Sequence, residues 1–134
     1  MERRTVQSGA LWEALVGYSR AVRVGDHIWV SGTTATDQQG EIVGVDDPHA
    51  QTVHILQTIQ KALEQLGSGM GDVVRTRMFV MNIEQWPEIG RAHAAIFGDV
   101  RPAASMIQVT RLIDPRLLVE IEVDAVVGSG SGVR

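Results

Sequence analysis

Hydrophobic and polar residues alternate most regularly between residues 118 and 127. Five apolar residues share one side of this segment: Val119, Ile121, Val123, Ala125 and Val127. Glu120, Glu122 and Asp124 occupy the positions between them. A period of two residues over this length is typical of a strand with one buried face. The pattern therefore predicts a strand over 118–127 whose opposite face carries three carboxyl groups.

A helical period of three to four residues begins after residue 46. Asp47 can accept a hydrogen bond from a free amide of the first turn, and Pro48 suits the first helical position. The predicted inward stripe consists of Val53, Leu56, Ile59, Leu63 and Leu66. Gly67 and Gly69 then favour a left-handed end to the helix.

Shorter patterns complete the predicted fold. A two-residue turn, Gly25-Asp26, separates two apolar runs and indicates a hairpin. A second helix is predicted over 87–97. The remaining predicted strands are Arg3–Gln7, Ser19–Val24, His27–Ser31, Val73–Asn82 and Ala103–Arg111. Apart from the short N-terminal candidate Arg3–Gln7, the elements have the order β-β-α-β-α-β-β, which predicts an α+β domain over 1–127 with both helices on one face of a mixed sheet. Residues 128–134 are rich in Gly and Ser and are expected to be a flexible tail.

One face of the predicted sheet remains uncovered by helices. In the strand over 73–82, four residues are predicted to point inwards: Val74, Thr76, Met78 and Val80. The opposite, uncovered face is predicted to carry Trp29, Phe79, Met81 and Met106 among its charges. This is more apolar area than a solvated sheet face usually exposes. Coverage by other copies of the chain explains it economically, so we predict a closed homo-oligomer.

Composition excludes several classes of protein. The chain has 134 residues, enough for one domain, and no cysteine, which rules out disulfides and thiolate chemistry. A net charge of −4 disfavours nucleic acid as a partner, because phosphate binding needs a basic face. No motif for a metal or an organic cofactor is present, so we expect neither. The absence of cysteine and of a signal-length or membrane-spanning apolar run favours a cytoplasmic protein.

Glu120 and Glu122 are the clearest candidates for chemistry. They point the same way from one strand and have apolar neighbours. A desolvated carboxyl group there could hold and polarise a water molecule. The alternative is that both are solvated charges on a sheet face, and periodicity cannot distinguish one glutamate from the other.

Four short motifs stand out along the chain: Gly-Tyr-Ser-Arg-Ala-Val at 17–22, Val-Ser-Gly-Thr at 30–33, Val-Arg-Pro-Ala-Ala-Ser at 100–105 and Val-Glu-Ile-Glu at 119–122. In order and spacing they resemble the RidA family, also called YjgF/YER057c/UK114 or endoribonuclease L-PSP. The resemblance covers about residues 17–127. It implies a chorismate-mutase-like fold in a homotrimer whose sheets form a central barrel, with ligand clefts between subunits. The best-known members hydrolyse enamines and imines to 2-oxo acids and ammonia.

The resemblance also implies roles for individual residues. Tyr18, Ser31 and Gly32 match cleft residues of the family, and Glu120 matches its water-holding, catalytic glutamate. Thr33 and Ser105, which lie in the same motifs, are expected to bind ligand. Active members have an arginine that clamps the substrate carboxylate, and the matching position in this chain is Ala104. This departure is similar to the arginine-less branches of the family.

Three functions follow as hypotheses. The first is a hydrolase or deaminase that uses Glu120 in an inter-subunit cleft, acting on an imine, enamine or related carbonyl compound. The second is a non-catalytic trimer that binds a small molecule. The third is the family's endoribonuclease or translation-inhibitor activity, which the acidic charge and the single lysine disfavour. Arg91, Arg101 and Arg111 are candidates to replace the missing clamp from another direction.

Overall fold

The computed structural model describes residues 1–132, and within them the chain forms six strands and three α-helices. The strands are β1 (Arg3–Val6), β2 (Ala21–Val24), β3 (His27–Thr34), β4 (Val73–Val80), β5 (Ala103–Gln108) and β6 (Val119–Val126). The helices are α1 (Leu11–Val16), α2 (Pro48–Gln65) and α3 (Trp86–Phe97). The predicted order is confirmed from β2 to β6. The structure adds the short helix α1, which the sequence did not predict, between β1 and β2.

All six strands belong to one mixed sheet in the order β1-β2-β3-β6-β4-β5. The pairs β1–β2, β2–β3, β3–β6 and β6–β4 are antiparallel, whereas β4 and β5 are parallel and are connected through α3. Since β6 follows β5 in the chain, it returns across the sheet to lie between β3 and β4. Its carboxyl groups are therefore placed in the middle of the sheet.

The local signals at the start of α2 and at the β2–β3 turn act as the sequence predicted. The Asp47 carboxylate accepts a hydrogen bond from the Ala50 amide at 3.0 Å, and Pro48 is the first helical residue. Val24 pairs with His27 across a two-residue turn in which Gly25 has φ of 58°, a left-handed conformation that glycine adopts without strain. The hairpin prediction is thus confirmed.

The core lies between the sheet and the two long helices. α2 packs against β3, β6 and α3, so both long helices occupy the same side. Fully buried side chains come from α2 and from the inward face of β6, including Ile55, Ile59, Leu63, Ile121 and Val123. The alternation in β6 is therefore the pattern of a strand with one face in this core.

Two residues lie on the opposite face from the one predicted. Val74 is 41% exposed, because β4 shifts its register against β6 between Val73 and Arg75 and places Val73 in the core instead. Met106 packs against the core, because it pairs with the buried Met78 in the parallel β4–β5 ladder. The predicted places of Val74 in the core and of Met106 on the uncovered face are wrong.

The first residues of the predicted flexible tail make specific contacts. The Gly130 amide donates a hydrogen bond to the Asp72 carboxylate at 2.9 Å, and the Ser129 hydroxyl donates to the Val126 carbonyl at 2.7 Å. Residues 129–132 form a short 3-10 turn. Of the predicted tail, residues 133 and 134 lie outside the described residues.

Candidate functional site

A bulge in β3 lies directly beside Glu120. Val30 pairs with Val123 and Thr33 with Ile121, so two residues of β3, Ser31 and Gly32, oppose a single residue of β6. Bulges of this kind re-aim side chains and occur next to active sites. The bulge here brings the backbone of Gly32 against the Glu120 side chain.

The absence of a side chain at position 32 permits this close approach. A Cβ atom at Gly32 would lie 2.9 Å from Cδ of Glu120, well inside van der Waals contact. The carboxyl group of Glu120 therefore rests on the bare backbone of the bulge. This contact joins two of the four motifs that carried the resemblance.

The protonated form of the Glu120 carboxyl group is more favoured in the protein than it would be in water. Burial raises the pKa of Glu120, and the neighbouring Glu122 charge raises it further, while the positive charge of Arg20 opposes both. A carboxyl group whose protonated form is favoured in this way is a better proton acceptor from a bound water than an ordinary surface carboxylate. Perturbation of this kind is typical of functional carboxyl groups.

Glu122, the other candidate carboxylate, has a different environment. It lies 3.3 Å from the Arg77 guanidinium, which also lies 3.2 Å from Asp124. Arg77, Glu122 and Asp124 form an ion-pair network on the face of the sheet away from the helices, where Trp29 is 47% exposed. The structure thus separates two glutamates that the sequence pattern could not.

A buried ion pair, which the sequence did not predict, lies behind the bulge. The Arg20 side chain is 8% exposed and that of Glu13, on α1, is 4% exposed; Arg20 Nε lies 3.4 Å from Glu13 Oε2. Arg20 Nη1 donates to the Gly32 carbonyl at 2.9 Å and to the Thr33 hydroxyl at 3.0 Å. Glu13 in turn accepts hydrogen bonds from the Ser8 amide, at 2.9 Å, and from the Ser8 hydroxyl.

Tyr18 and Ser31 are held in the same cluster. The Arg20 guanidinium lies 5.5 Å from the centre of the Tyr18 ring, within the range of a cation–π contact. The Ser31 hydroxyl donates to the Ser19 carbonyl at 2.7 Å. Thr33 is buried, and its hydroxyl donates to the Ser31 carbonyl at 2.8 Å, so it lies behind the surface of the site.

Ala104 and Ser105 lie apart from this cluster within one copy of the chain. Both belong to the edge strand β5, where Ala104 pairs with Thr76 and Ser105 with Arg77, so the two side chains point to opposite faces. Glu120 pairs with Phe79. Ordinary strand dimensions then place the backbones of Ala104 and Glu120 roughly 14 Å apart. One copy of the chain does not bring these two candidate residues together.

A half-buried histidine lies on the Ala104 side of the sheet. Thr76, the partner of Ala104, has its hydroxyl 2.9 Å from Nε2 of His93, and the rings of His93 and Phe97 are 4.7 Å apart. Burial lowers the pKa of His93, which favours the neutral ring. The sequence offered no reason to single out this histidine, because its contact with Thr76 depends on how α3 packs.

The three arginines considered as substitutes for the clamp are all exposed. Arg101 precedes β5 and has φ of 52°, and its Nε donates to the Gly98 carbonyl at 3.0 Å. Arg91 lies on α3, and Arg111 follows β5. In the part of the chain that the structure describes, no group of three or more His, Cys, Asp or Glu side chains could hold a metal ion.

Sequence comparison matches residues 9–127 to the family described as endoribonuclease L-PSP. The chain belongs to this family. It is 39% identical over 127 residues to the Streptomyces coelicolor protein SCO2049, covering 94% of this chain and 93% of that protein. The family match begins at Gly9 and so includes α1, which precedes the motifs that carried the resemblance.

Solved structures of family members have the same fold. Rv2704 of Mycobacterium tuberculosis, a member of the YjgF/YER057c/UK114 family, is 49% identical, with a TM-score of 0.86 over 94% of this chain and 100% of that one. YyfA of Yersinia pestis, from the Rid family, is 29% identical, with a TM-score of 0.84 over 94% of this chain and 100% of that one. The fold predicted from the resemblance is therefore confirmed. Among the described residues, no helix is both long enough and apolar enough to cross a membrane.

Proposed function

We propose that this protein is a hydrolase of the Rid type that acts on an imine, an enamine or a related carbonyl compound without a carboxylate at the Ala104 end. The observation that carries the proposal is the Glu120 carboxyl group, which rests on the Gly32 bulge with its pKa raised by burial. Membership in the family is consistent with a hydrolase or deaminase role.

The chemistry assigned to Glu120 is proton transfer during hydrolysis. As a carboxylate, Glu120 takes a proton from a water molecule while the water oxygen adds to the carbon of the protonated C=N bond. The resulting tetrahedral carbon bears a hydroxyl and an amine. Glu120 then returns its proton to the nitrogen. The C–N bond breaks as the hydroxyl loses its proton to Glu120, so the carbonyl forms and ammonia leaves. Ammonia takes this last proton from Glu120 as ammonium, which regenerates the carboxylate, and one water is consumed for each ammonia released.

The proposed site lies between subunits of a homotrimer. Two observations support this arrangement: Ala104 and Glu120 are far apart in one copy, and the face of the sheet away from the helices carries exposed apolar residues. Trp29 and Ile107 are 47% and 48% exposed on that face. A neighbouring copy can cover this face and bring its own β5 edge to the Glu120 cluster. Light scattering is expected to give three times the 14.6 kDa chain mass, and a monomer at micromolar concentration would contradict the arrangement.

The absence of an arginine at 104 determines the proposed ligand. An arginine that grips a carboxylate makes charge-assisted hydrogen bonds worth roughly 1.5–3 kcal/mol each. Losing two of them weakens binding of an amino-acid-derived imine by about a hundredfold or more. The Ala104 methyl group instead leaves a wider and more apolar end, which suits a neutral ligand.

Two sources of imine test the proposal. An amine oxidase makes imines without a carboxylate, an amino-acid oxidase makes 2-iminobutanoate, and trapping with semicarbazide measures how long each imine survives. We expect the native protein to shorten the lifetime of the amine-derived imine and to affect 2-iminobutanoate little. Glu120→Gln should abolish the effect, whereas the matched variant Glu122→Gln should retain most of it.

Substitution at position 104 tests the choice of ligand. Ala104→Arg should increase activity on 2-iminobutanoate by on the order of a hundredfold. This factor corresponds to the two charge-assisted hydrogen bonds that the arginine would make to the carboxylate. Ala95→Arg, which adds the same charge to an exposed position of α3, is the control. Native activity on 2-iminobutanoate equal to that of Ala104→Arg would contradict the proposed ligand. Saturable binding of a neutral carbonyl compound without turnover of any imine would instead identify a binding protein.

Nucleic acid is not the proposed substrate, despite the name of the family. The face of the sheet away from the helices carries Glu120, Glu122 and Asp124, and Arg77 on that face is engaged by two carboxylates. A net charge of −4 adds to the repulsion of phosphate.

A further inference from the structure

The buried pair of Glu13 and Arg20 makes contacts that converge on the candidate site. Helix α1 buries only Glu13, while its large apolar residues Leu11, Trp12, Leu15 and Val16 are exposed. The helix is therefore attached to the domain through a charge and not through an apolar stripe. Burying two charges costs free energy that their attraction only partly returns, so such a pair is a poor source of stability.

One contact of the pair reaches the residue that lies directly against Glu120. Through Arg20, it holds the carbonyl of Gly32, the residue on which the Glu120 carboxyl group rests. The backbone carbonyl of Glu13 accepts a hydrogen bond from the Tyr18 amide at 3.0 Å. The pair thus ties the segment that carries Tyr18 to the bulge that supports Glu120.

We propose that Glu13 and Arg20 are positioning residues for Glu120, in which Arg20 fixes the Gly32 bulge and supplies a positive charge to the Glu120 carboxylate, and Glu13 moderates that charge. The pair acts through Glu120 and need not touch the substrate. The inference rests on the proposed function only in one respect, the use of the Glu120 proton in hydrolysis.

The groups around Glu120 support this assignment of charge. From β6 it faces Glu122, whose charge is already shared with Arg77. Its paired neighbours in the adjacent strands, Phe79 in β4 and Thr34 in β3, are uncharged. Arg20 is the cation that acts on Glu120, and the Glu13 carboxylate pairs with that guanidinium at 3.4 Å. The two members of the pair must therefore act on Glu120 with opposite sign.

An NMR titration of the Glu120 side-chain carboxyl carbon in the ligand-free, full-length protein tests this sign. Arg20→Gln removes the cation and should raise the pKa of Glu120. Glu13→Gln leaves Arg20 without its counter-charge and should lower that pKa. Arg20→Lys should restore most of the native value. Arg23→Gln is the matched control, since Arg23 lies in β2, three residues after Arg20, but donates to the Leu66 carbonyl at 2.6 Å and should leave Glu120 unchanged.

A purely structural role predicts a different result. If the pair only stabilised the fold, both Arg20→Gln and Glu13→Gln would loosen the bulge, expose Glu120 and lower its pKa. An unchanged or lowered pKa in folded Arg20→Gln would therefore overturn the proposal. Should Arg20→Gln fail to fold because Glu13 is left buried and unpaired, the double variant Glu13→Gln/Arg20→Gln removes both charges. The proposal then requires a raised Glu120 pKa in the double variant, and an unchanged one overturns it. No substrate is involved, so failure to hydrolyse any imine leaves this test valid.

Discussion

Adding one methyl group at Gly32 is expected to displace the carboxyl group of Glu120. The new Cβ atom would lie 2.9 Å from Cδ and 3.3 Å from Cγ of Glu120. Nonbonded carbons prefer about 3.5–4.0 Å, so the carboxyl group must retreat by roughly 0.6–1 Å. The Gly32 backbone does not have a left-handed φ, so the substitution adds no backbone strain. The effect of Gly32→Ala should therefore fall on Glu120.

The loss of stability in Gly32→Ala depends on whether the Glu120 side chain can move. If Glu120 cannot move, Gly32→Ala overpacks the site and costs about 1–3 kcal/mol of unfolding free energy. If it moves, stability is nearly retained, but a catalytic group displaced by about 1 Å can lose a hundredfold in rate. If Glu120 moves, its pKa should also fall towards its ordinary value, because the carboxyl group is pushed towards water.

A double-mutant cycle measures this contact without any ligand. Chemical denaturation of Gly32→Ala, Glu120→Ala and the double variant gives the coupling free energy between the two positions. We expect the loss caused by Gly32→Ala to disappear when Glu120 is alanine, because the atoms it strikes are gone. Gly69→Ala is the control, since a Cβ at Gly69 meets nothing within 4 Å. An equal loss in both backgrounds, together with an unchanged Glu120 pKa, would refute the contact.

Three further substitutions have expected outcomes. Burial lowers the pKa of His93, so the unfolded chain takes up the proton first as pH falls below about 6.5, and the free energy of unfolding should decline there. His93→Gln should reduce this decline in denaturation curves, and an identical pH dependence in the variant would contradict the prediction. Asp47→Ala removes the cap of α2 and should cost about 1 kcal/mol in thermal unfolding, where an unchanged Tm would be contrary evidence. Arg101→Gly relieves a left-handed φ of 52° and should stabilise the fold by about 0.5 kcal/mol, whereas a lower Tm would show that the bond from Arg101 to Gly98 matters more.

The elements that the sequence predicted well are those whose signals are local. The alternation in β6 needs only one buried face, and the cap at Asp47 depends on residues within one helical turn. The hairpin at Gly25 is equally local, since two residues with the right backbone freedom fix its register. In these cases no information from distant parts of the chain was required.

Helix α1 was missed because its pattern is the reverse of an amphipathic helix. Its buried residue is charged, and its apolar residues lie at the surface. Its preceding residue, Ala10, makes no side-chain cap. Periodicity searches for apolar residues on one face, so a helix attached through the Glu13–Arg20 ion pair gives no such signal.

The wrong predictions for Val74 in β4 and Met106 in β5 both arise from strand register. A shift between Val73 and Arg75 moves Val74 from the core face to the surface, and parallel pairing with Met78 turns Met106 inwards. Neither register can be read from a single strand, because a one-residue slip reverses every side chain. The same limit applies to the site, where the contact between Gly32 and Glu120 joins residues that are 88 positions apart in the chain.

The central position of β6 has a consequence for how the chain is made. β6 is the last of the six strands to leave the ribosome, yet it separates β3 from β4 in the finished sheet. Until it arrives, β1, β2 and β3 form one incomplete sheet and β4 and β5 another, each with an unpaired inner edge. Such edges readily pair with other chains. The nascent protein should therefore be most prone to aggregation just before residues 119–126 emerge, and a chain halted there would lack both its central strand and Glu120.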